Sequence, residues 1–289
     1  GPDFSRVPMN RPESFPPLVD AMLDRPPADE VTVGEIVCRD LLECGPDVAL
    51  HEAARRMGER RVSSILVVEG DVVLGIWTER DALAVDFGDL ATFTLAVREA
   101  MSAPVRTVPE TTPLHELAVR FREEHLRHYL VVDAAGQRLG IVSQSDVVLN
   151  QGIEHYLKLR KVDSLVKGGL QALPATAGVG EAARRMREGG LDAVVVDHGA
   201  AAADTAAGRY GIVTERDITR AVARRASEHA LGEIATRPLI VCAEHDSLYR
   251  VRAQLADRRI RHIGVLAGDG ELIDLISFKD ILSGMELAY

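Results

Sequence analysis

The chain has 289 residues, of which 46% are hydrophobic and 27% are charged, a balance typical of a globular protein with a sizeable core. Its formal net charge of -10 and its pI near 5.4 argue against a nucleic-acid backbone as the main partner. No apolar run approaches the ~18 residues that a membrane span needs, so we expect no membrane association.

The three cysteines are Cys38, Cys44 and Cys242, and they form neither a CxxC pair nor a metal-ligand spacing. A sparse, odd set of cysteines without an N-terminal signal pattern is typical of a reduced cytoplasmic protein. We therefore predict a cytoplasmic location, no disulfide and no metal site.

Proline is concentrated at the N-terminus, where residues 1–27 hold seven of the 13 prolines. Because proline donates no backbone hydrogen bond and blocks helix propagation, residues 1–30 are predicted to form an extended or irregular arm outside the folded body.

Two strings of sequence recur along the body. EAARRM occurs at 52–57 and at 181–186, and GIWTERD at 75–81 matches GIVTERD at 211–217. Weaker copies, GIVSQSD at 140–146 and DLISFKD at 274–280, fill the gaps, so a unit of about 65 residues occurs four times. The two TERD strings lie farther apart in the chain than the two EAARRM strings. This difference predicts an insertion between EAARRM and TERD in repeat 3, at residues 198–208.

Each repeat is predicted to contain a strand, a helix, two strands and a second helix. In repeat 1 the spacing of Val48, Ala53, Ala54 and Met57 predicts a helix with Asp47 as its N-cap. Trp77 lies within a predicted strand and is expected in the core. Further predicted strands and helices, in chain order, are residues 41–44, 64–68, 72–78, a helix from 79, 105–108, a helix with Thr112 as cap, 129–133, 139–143, 170–173, 180–187, 193–197, 210–214, 239–242, 247–258, 262–266 and 272–277.

A βαββα unit that ends in G-h-h-[ST]-x-x-D, with h apolar, resembles the cystathionine-β-synthase (CBS) domain. The resemblance covers about residues 31–285. It implies an α/β (α+β) fold in which the four repeats pair into two Bateman modules. The predicted organisation is an arm at 1–30, module 1 at 31–150 (repeats 31–90 and 96–150), a linker helix at 151–160, and module 2 at 161–289 (repeats 161–226 and 230–285).

The resemblance also implies a function. The CBS family typically binds adenosine-containing ligands such as AMP, ADP, ATP, S-adenosylmethionine or cyclic dinucleotides, and regulates an attached enzyme, channel or transporter. We therefore expect a non-enzymatic sensor with an adenine nucleotide as regulatory ligand, no catalytic cofactor, a homodimeric state and an output domain beyond residue 289. The alternative is a ligand-free dimerisation or interaction scaffold.

The repeated motif carries chemistry that suits a nucleoside. An aspartate in the first helical turn can accept both hydroxyls of a ribose, and the Ser or Thr hydroxyl can bind ribose or phosphate. The same spacing is close to a helix capping box, which needs no ligand, although capping boxes favour Glu or Gln at the third position. The predicted ligand-binding pairs are Thr78 and Asp81, Ser143 and Asp146, Thr214 and Asp217, and Ser277 and Asp280.

Phosphates need positive charge, and three repeats offer it just before or at a buried strand, repeat 1 through Arg60 and Arg61. Arg127 and His128 serve repeat 2, and Arg261 and His262 serve repeat 4. We predict that these four side chains contact phosphate. The alternative is ordinary solvated charge at a helix–strand turn.

Overall fold

The structure is a computed structural model that describes residues 31–150, 154–226 and 229–284. The predicted arm at residues 1–30 lies outside the described residues. The helices and strands, in chain order, are α1 (Val33–Ile36), β1 (Glu43–Cys44), α2 (Leu50–Arg60), β2 (Ser64–Glu69), β3 (Val72–Thr78), β4 (Thr107–Pro109), α3 (Leu114–Glu124), β5 (His128–Val132), β6 (Arg138–Ser143), α4 (Gln144–Asn150), α5 (Glu154–Leu159), β7 (Leu173–Pro174), α6 (Val179–Gly189), β8 (Ala193–Asp197), α7 (Ala206–Arg209), β9 (Tyr210–Thr214), α8 (Glu215–Ala223), α9 (Leu231–Ile234), β10 (Val241–Ala243), α10 (Leu248–Arg258), β11 (His262–Leu266), β12 (Leu272–Ser277) and α11 (Phe278–Gly284).

Each repeat builds its own three-stranded sheet, so the α/β fold of four repeats is confirmed. In every sheet the first strand runs parallel to the second, and the second runs antiparallel to the third. The helix between the first two strands is the crossover that a parallel pair requires.

Helix α2 shows why the predicted helices form. Leu50, Ala53, Ala54 and Met57 recur at helical spacing, and all four are buried. The predicted cap at Asp47 is wrong, since the helix begins after Ala49 and no side chain caps it. The backbone N–H of Leu50 donates instead to a carbonyl of a neighbouring segment, that of Leu95, at 2.9 Å.

Repeat 1 departs from the other three after its motif. The helix predicted from residue 79 is replaced by a 3₁₀ turn, Asp81–Ala84, and a second one, Leu90–Thr94. Between them the chain bends so that the rings of Phe87 and Phe93 stack edge to face at 5.7 Å inside the core. An aromatic pair in the core takes the place of a helical turn here.

The predicted insertion of repeat 3 is confirmed, because residues 198–208 connect β8 to β9 as a loop that contains one 3₁₀ turn and begins helix α7. At its base the guanidinium of Arg209 donates two hydrogen bonds of 2.8 Å to the carboxylate of Asp197. This bidentate pair fixes the two ends of the insertion to each other.

Two compact units divide the chain. Among the described residues, one contains repeats 1 and 3, within residues 41–105 and 171–239, and the other contains repeats 2 and 4, within residues 31–40, 106–170 and 240–284. Each unit has its own apolar core, and Trp77 is fully buried in the first, as predicted. These units group repeats differently from the predicted modules, so the pairing of repeats 1–2 and 3–4 into modules stays a prediction.

The segment that precedes repeat 1 in the chain pairs with repeat 2, and the segment that precedes repeat 2 pairs with repeat 1. Repeats 3 and 4 exchange segments in the same way, and each pairing is with the sheet of the repeat or with the residue before its central helix. The bridges are Thr32 to Pro113 and Cys38 to Ile141, Ala49 to Ala96 and Ile76 to Ser102, Lys161 to Ser247, and Gly178 to Ala230 and Ile212 to Thr236. We call these four stretches, residues 32–38, 96–102, 161–167 and 230–236, the crossing segments. None of the helices that the structure describes has both the length and the apolar character needed to cross a membrane.

Candidate functional site

The four Ser/Thr-x-x-Asp motifs adopt the same geometry. In each, Oδ2 of the aspartate accepts the backbone N–H of the Ser or Thr at 2.8 to 3.0 Å and its hydroxyl at 3.0 to 3.2 Å. The hydroxyl oxygen in turn accepts the N–H of the aspartate at 3.2 to 3.4 Å. The capping box is thus formed four times, and the shorter Asp makes the hydrogen bond to the N-cap N–H that Glu or Gln usually makes.

The cap occupies only one oxygen of each carboxylate, so the sites differ in what happens to the other. Asp146 is distinctive, because its Oδ1 has no hydrogen-bond or ion-pair partner among the described residues. The Oδ1 atoms of the other three have neighbours: Ser102 Oγ at 3.0 Å for Asp81, Arg220 at 3.5 Å for Asp217, and the Lys167 ammonium at 3.9 Å for Asp280.

Burial acts on three of these carboxyls. It raises the pKa of Asp81, Asp146 and Asp217, against the opposing effect of the hydrogen bonds that their Ser or Thr donates. A partly buried carboxylate gains from any further hydrogen-bond donor. The hydroxyls of a ribose would supply such donors.

Side chains from two repeats gather around Asp146. His128 stands opposite Ser143 in the β5–β6 pair, and the charge of Arg261, from repeat 4, acts on both Asp146 and His128. The structure therefore brings together predicted residues of repeats 2 and 4. The predicted phosphate ligand Arg261 lies close to the aspartate of the other repeat in its unit.

His128 does not have the charge that the sequence suggested. Burial, with help from Arg261 and Arg127, lowers the pKa of His128 to about 3. The imidazole is therefore neutral near pH 7, and positive charge at this site comes from the arginines. Arg127 also uses its carbonyl to accept the N–H of Gln144 at 3.2 Å, which fixes the start of α4.

In repeat 4 the predicted residues keep the same register. His262 is buried and stands opposite Ser277 in the β11–β12 pair, as His128 stands opposite Ser143. Lys167, from a crossing segment, adds a cation near Asp280. The sites of repeats 2 and 4 thus place a histidine at the same strand position, but the cation near the aspartate is Lys167 in repeat 4 and Arg261 in repeat 2.

Gly75 and Gly140 of the motifs must be glycine because a crossing segment passes close to each of them. A Cβ on Gly140 would lie 2.0 Å from the carbonyl oxygen of Cys38, and one on Gly75 would lie 2.8 Å from that of Ser102. Repeat 4 has Asp274 in place of this glycine, and its Oδ2 accepts the N–H of Lys167 at 2.8 Å. A side chain here replaces the backbone bridge, which explains the departure of DLISFKD from the pattern.

Sequence reasoning missed the crossing-segment residues that approach the motifs, namely Cys38, Ser102, Lys167 and Thr236. A signal was present, since VGEIVCR at 33–39 and LGEIATR at 231–237 share a pattern that ends at the crossing position. The pattern lies far in the chain from the motif that it meets, so only the fold shows the connection.

Repeat 3 has a cavity of about 240 Å³ beside its motif aspartate, Asp217. Arg220 and Arg224 from the end of α8 contribute positive charge, while His229 and Glu233 form a pair at 2.9 Å. Ala221, Ala226 and Ile234 complete the lining. The space and the mixed charge suit a small polar ligand.

The cysteines lie apart from this chemistry, except for Cys38. Burial raises the pKa of Cys44 to about 11 and that of Cys242 to about 12, so both are inert thiols. Within the described ranges no three His, Cys, Asp or Glu side chains converge as a metal site would require.

Comparison with known proteins agrees with this architecture. A protein of Methanopyrus kandleri, MK0525, is 34% identical over 130 residues, which cover 44% of this chain and 64% of that protein. An inosine-5'-monophosphate dehydrogenase of Thermoplasma acidophilum is 26% identical over 116 residues, 40% of this chain and 23% of the enzyme. The chain therefore spans less than two thirds of either relative.

Among solved structures, protein MJ1225 of Methanocaldococcus jannaschii, described as a putative archaeal homolog of g-AMPK, superposes with a TM-score of 0.72. It is 19% identical, and the match covers 88% of this chain and 99% of that one. At this identity the likeness concerns the fold. The CBS domain family itself matches residues 33–88, 97–151, 169–224 and 231–286, so this chain belongs to the CBS domain family and is a regulatory module of four CBS domains.

Proposed function

We propose that this chain is a sensor of adenosine-containing nucleotides, such as AMP, ADP or ATP, that controls an attached or partner output domain. The observation that supports the proposal most strongly is how the two carboxylate oxygens of Asp146 are hydrogen-bonded. Its Oδ2 completes the helix cap, while Oδ1 is without a partner among the described residues. One aspartate can thus hold the helix and accept ribose hydroxyls at the same time.

The surroundings of Asp146 supply the rest of a nucleotide site. Arg261 places a positive charge near the carboxylate, where a phosphate on the same ligand could be neutralised. The neutral imidazole of His128 is a hydrogen-bond donor or acceptor for which binding costs no proton exchange at pH 7. The ligand-binding roles of Ser143, Asp146, Arg127, His128 and Arg261 belong to this proposal.

The sites of the other repeats belong to the proposal as well. Their roles are assigned by the shared motif geometry, and repeat 3 adds the cavity beside Asp217. The predicted ligand-binding residues outside repeat 2 are Thr78, Asp81, Thr214, Asp217, Ser277, Asp280 and His262, and of these Asp81 already accepts a hydrogen bond at each of its two carboxylate oxygens from within the chain.

Calorimetric titration of the full chain with AMP, ATP and adenosine tests the function. Asp146→Ala should weaken binding about ten- to a hundredfold, because charge-assisted hydrogen bonds contribute on the order of 1.5–3 kcal/mol. Asp146→Glu is the matched control for the cap. It keeps the capping oxygen but displaces Oδ1, so it should retain the melting temperature and still lose affinity.

A ligand-free scaffold is the second candidate, and the four complete capping boxes favour it. In that case no adenine nucleotide would raise the melting temperature of the wild-type chain, because a ligand that binds only the folded state must do so. Asp146→Ala would then lower the melting temperature alone. Light scattering on the wild-type chain tests the predicted homodimer, which either candidate function allows.

A further inference from the structure

In repeats 1 and 2, one residue of the crossing segment pairs with the strand that leads into the motif. Ser102 exchanges two backbone hydrogen bonds with Ile76, of 2.8 and 2.9 Å, two residues before Thr78. Cys38 exchanges the equivalent pair with Ile141, of 3.2 and 3.1 Å, two residues before Ser143. The side chains of Ser102 and Cys38 therefore occupy the same place, each beside the aspartate of its own site.

What these two side chains do is different. The hydroxyl of Ser102 donates to Oδ1 of Asp81 at 3.0 Å, while Oδ2 is taken by the cap. Both oxygens of Asp81 are thus occupied from within the chain. At the equivalent site Oδ1 of Asp146 has no such donor in the described part of the chain.

The chemistry of Cys38 explains the difference. A thiol is a weak hydrogen-bond donor, whereas a hydroxyl is a strong one. Partial burial of the thiol and the nearby Asp146 both raise the pKa of Cys38, so it stays protonated beside the carboxylate. Cys38 therefore neither satisfies Asp146 nor forms an ion pair with a cation.

We propose that in repeats 1 and 2 this crossing-segment position decides whether the motif aspartate can hold a ribose, with Ser102 taking the place of a ribose hydroxyl and so closing the site of repeat 1. Cys38 leaves the site of repeat 2 open. This inference rests on the proposed function, since it names which of the sites takes the nucleoside. Nucleotide binding is accordingly unequal among the repeats despite their shared motif.

Exchanging the two side chain types tests the proposal. Cys38→Ser should install the closing hydroxyl at repeat 2 and weaken AMP binding about tenfold, whereas the matched Cys38→Ala should bind AMP like the wild type. Ser102→Ala should open repeat 1 and raise the calorimetric stoichiometry by one AMP per chain. Cys38 is exposed, so both of its variants should keep the wild-type melting temperature.

A second readout does not depend on AMP. Carbon-detected NMR titration should show the pKa of Asp146 lower in Cys38→Ser than in Cys38→Ala, and the pKa of Asp81 higher in Ser102→Ala than in the wild type. Unchanged carboxyl pKa values, or equal AMP affinity for Cys38→Ser and Cys38→Ala, would overturn the proposal. If the wild type binds no AMP, the proposed function fails, and an unshifted Asp81 would then refute the Ser102 closure by itself.

Discussion

The carboxylate of Glu79, only 2% exposed, lies 3.4 Å from the guanidinium of Arg216 in another repeat. The reverse pair, Arg80 with the buried carboxylate of Glu215, lies at 3.6 Å. The two TERD strings of repeats 1 and 3 therefore bind each other reciprocally. Repeats 2 and 4 have no such pair at these positions, which hold Gln144, Ser145, Phe278 and Lys279.

Arg216→Gln should destabilise the chain by about 1–2 kcal/mol, because the buried carboxylate of Glu79 loses a charged partner. Urea denaturation measures the change. The double variant Glu79→Gln with Arg216→Gln should lose less than the sum of the two single variants. Strict additivity would show that the pair does not interact. Arg55→Gln, in an exposed pair with Glu52, is the control and should keep the wild-type midpoint.

Gly140→Ala should destabilise the chain by at least about 2 kcal/mol, since the new methyl would lie 2.0 Å from the carbonyl oxygen of Cys38. Gly58→Ala is the matched control in α2, where nothing lies within 4 Å of the new Cβ. It should stabilise the helix by about 0.5–1 kcal/mol. Equal effects of the two substitutions on the melting temperature would contradict the close approach of the crossing segment.

His128 should make the chain sensitive to acid. Its folded pKa of about 3 lies below the ordinary value of 6.5, so the unfolded chain binds a proton that the folded chain refuses. The stability contribution is complete above pH 6.5 and falls as the pH drops toward 3. At pH 5 the loss should be on the order of 1–2 kcal/mol.

His128→Gln should remove that part of the pH dependence. Melting temperatures of the variant and the wild type, measured from pH 7.5 to 5, should converge as the pH falls. Parallel curves would mean that His128 takes up its proton normally in the folded chain. His115→Gln serves as the control, since it changes another histidine of the same repeat, in α3.

Asp197→Asn should destabilise the insertion of repeat 3 by about 1 kcal/mol at pH 7, because Arg209 loses its bidentate partner. The hydrogen bonds of Arg209 hold the pKa of Asp197 below its ordinary value. The wild-type advantage is therefore present above about pH 3.9, the ordinary aspartate pKa, and disappears as the pH falls through the lower folded value. Thermal denaturation should show a smaller difference between the variant and the wild type at pH 3 than at pH 7.

The sequence by itself determined the features that depend on neighbours in the chain. The apolar spacing of α2, the fourfold motif and the extra residues of repeat 3 predicted this helix, the four repeats and the insertion correctly, whereas the helix expected from residue 79 is a 3₁₀ turn. Capping boxes also follow from local sequence, because Ser or Thr and Asp lie three residues apart. Short-range predictions failed where a distant segment intervened, as at Asp47, whose capping role is replaced by the carbonyl of Leu95.

Only the tertiary structure decided how the four equivalent motifs differ. Ser102 donates a hydrogen bond to Asp81 across 21 residues of chain, and the charge of Arg261 acts on Asp146 across more than a hundred. Hydrogen bonds and charges of this kind depend on which surfaces pack together, and packing is decided by the whole apolar core rather than by a local pattern. The motif therefore specifies an aspartate at each helix start, while the fold specifies whether its second oxygen is free to accept a ligand.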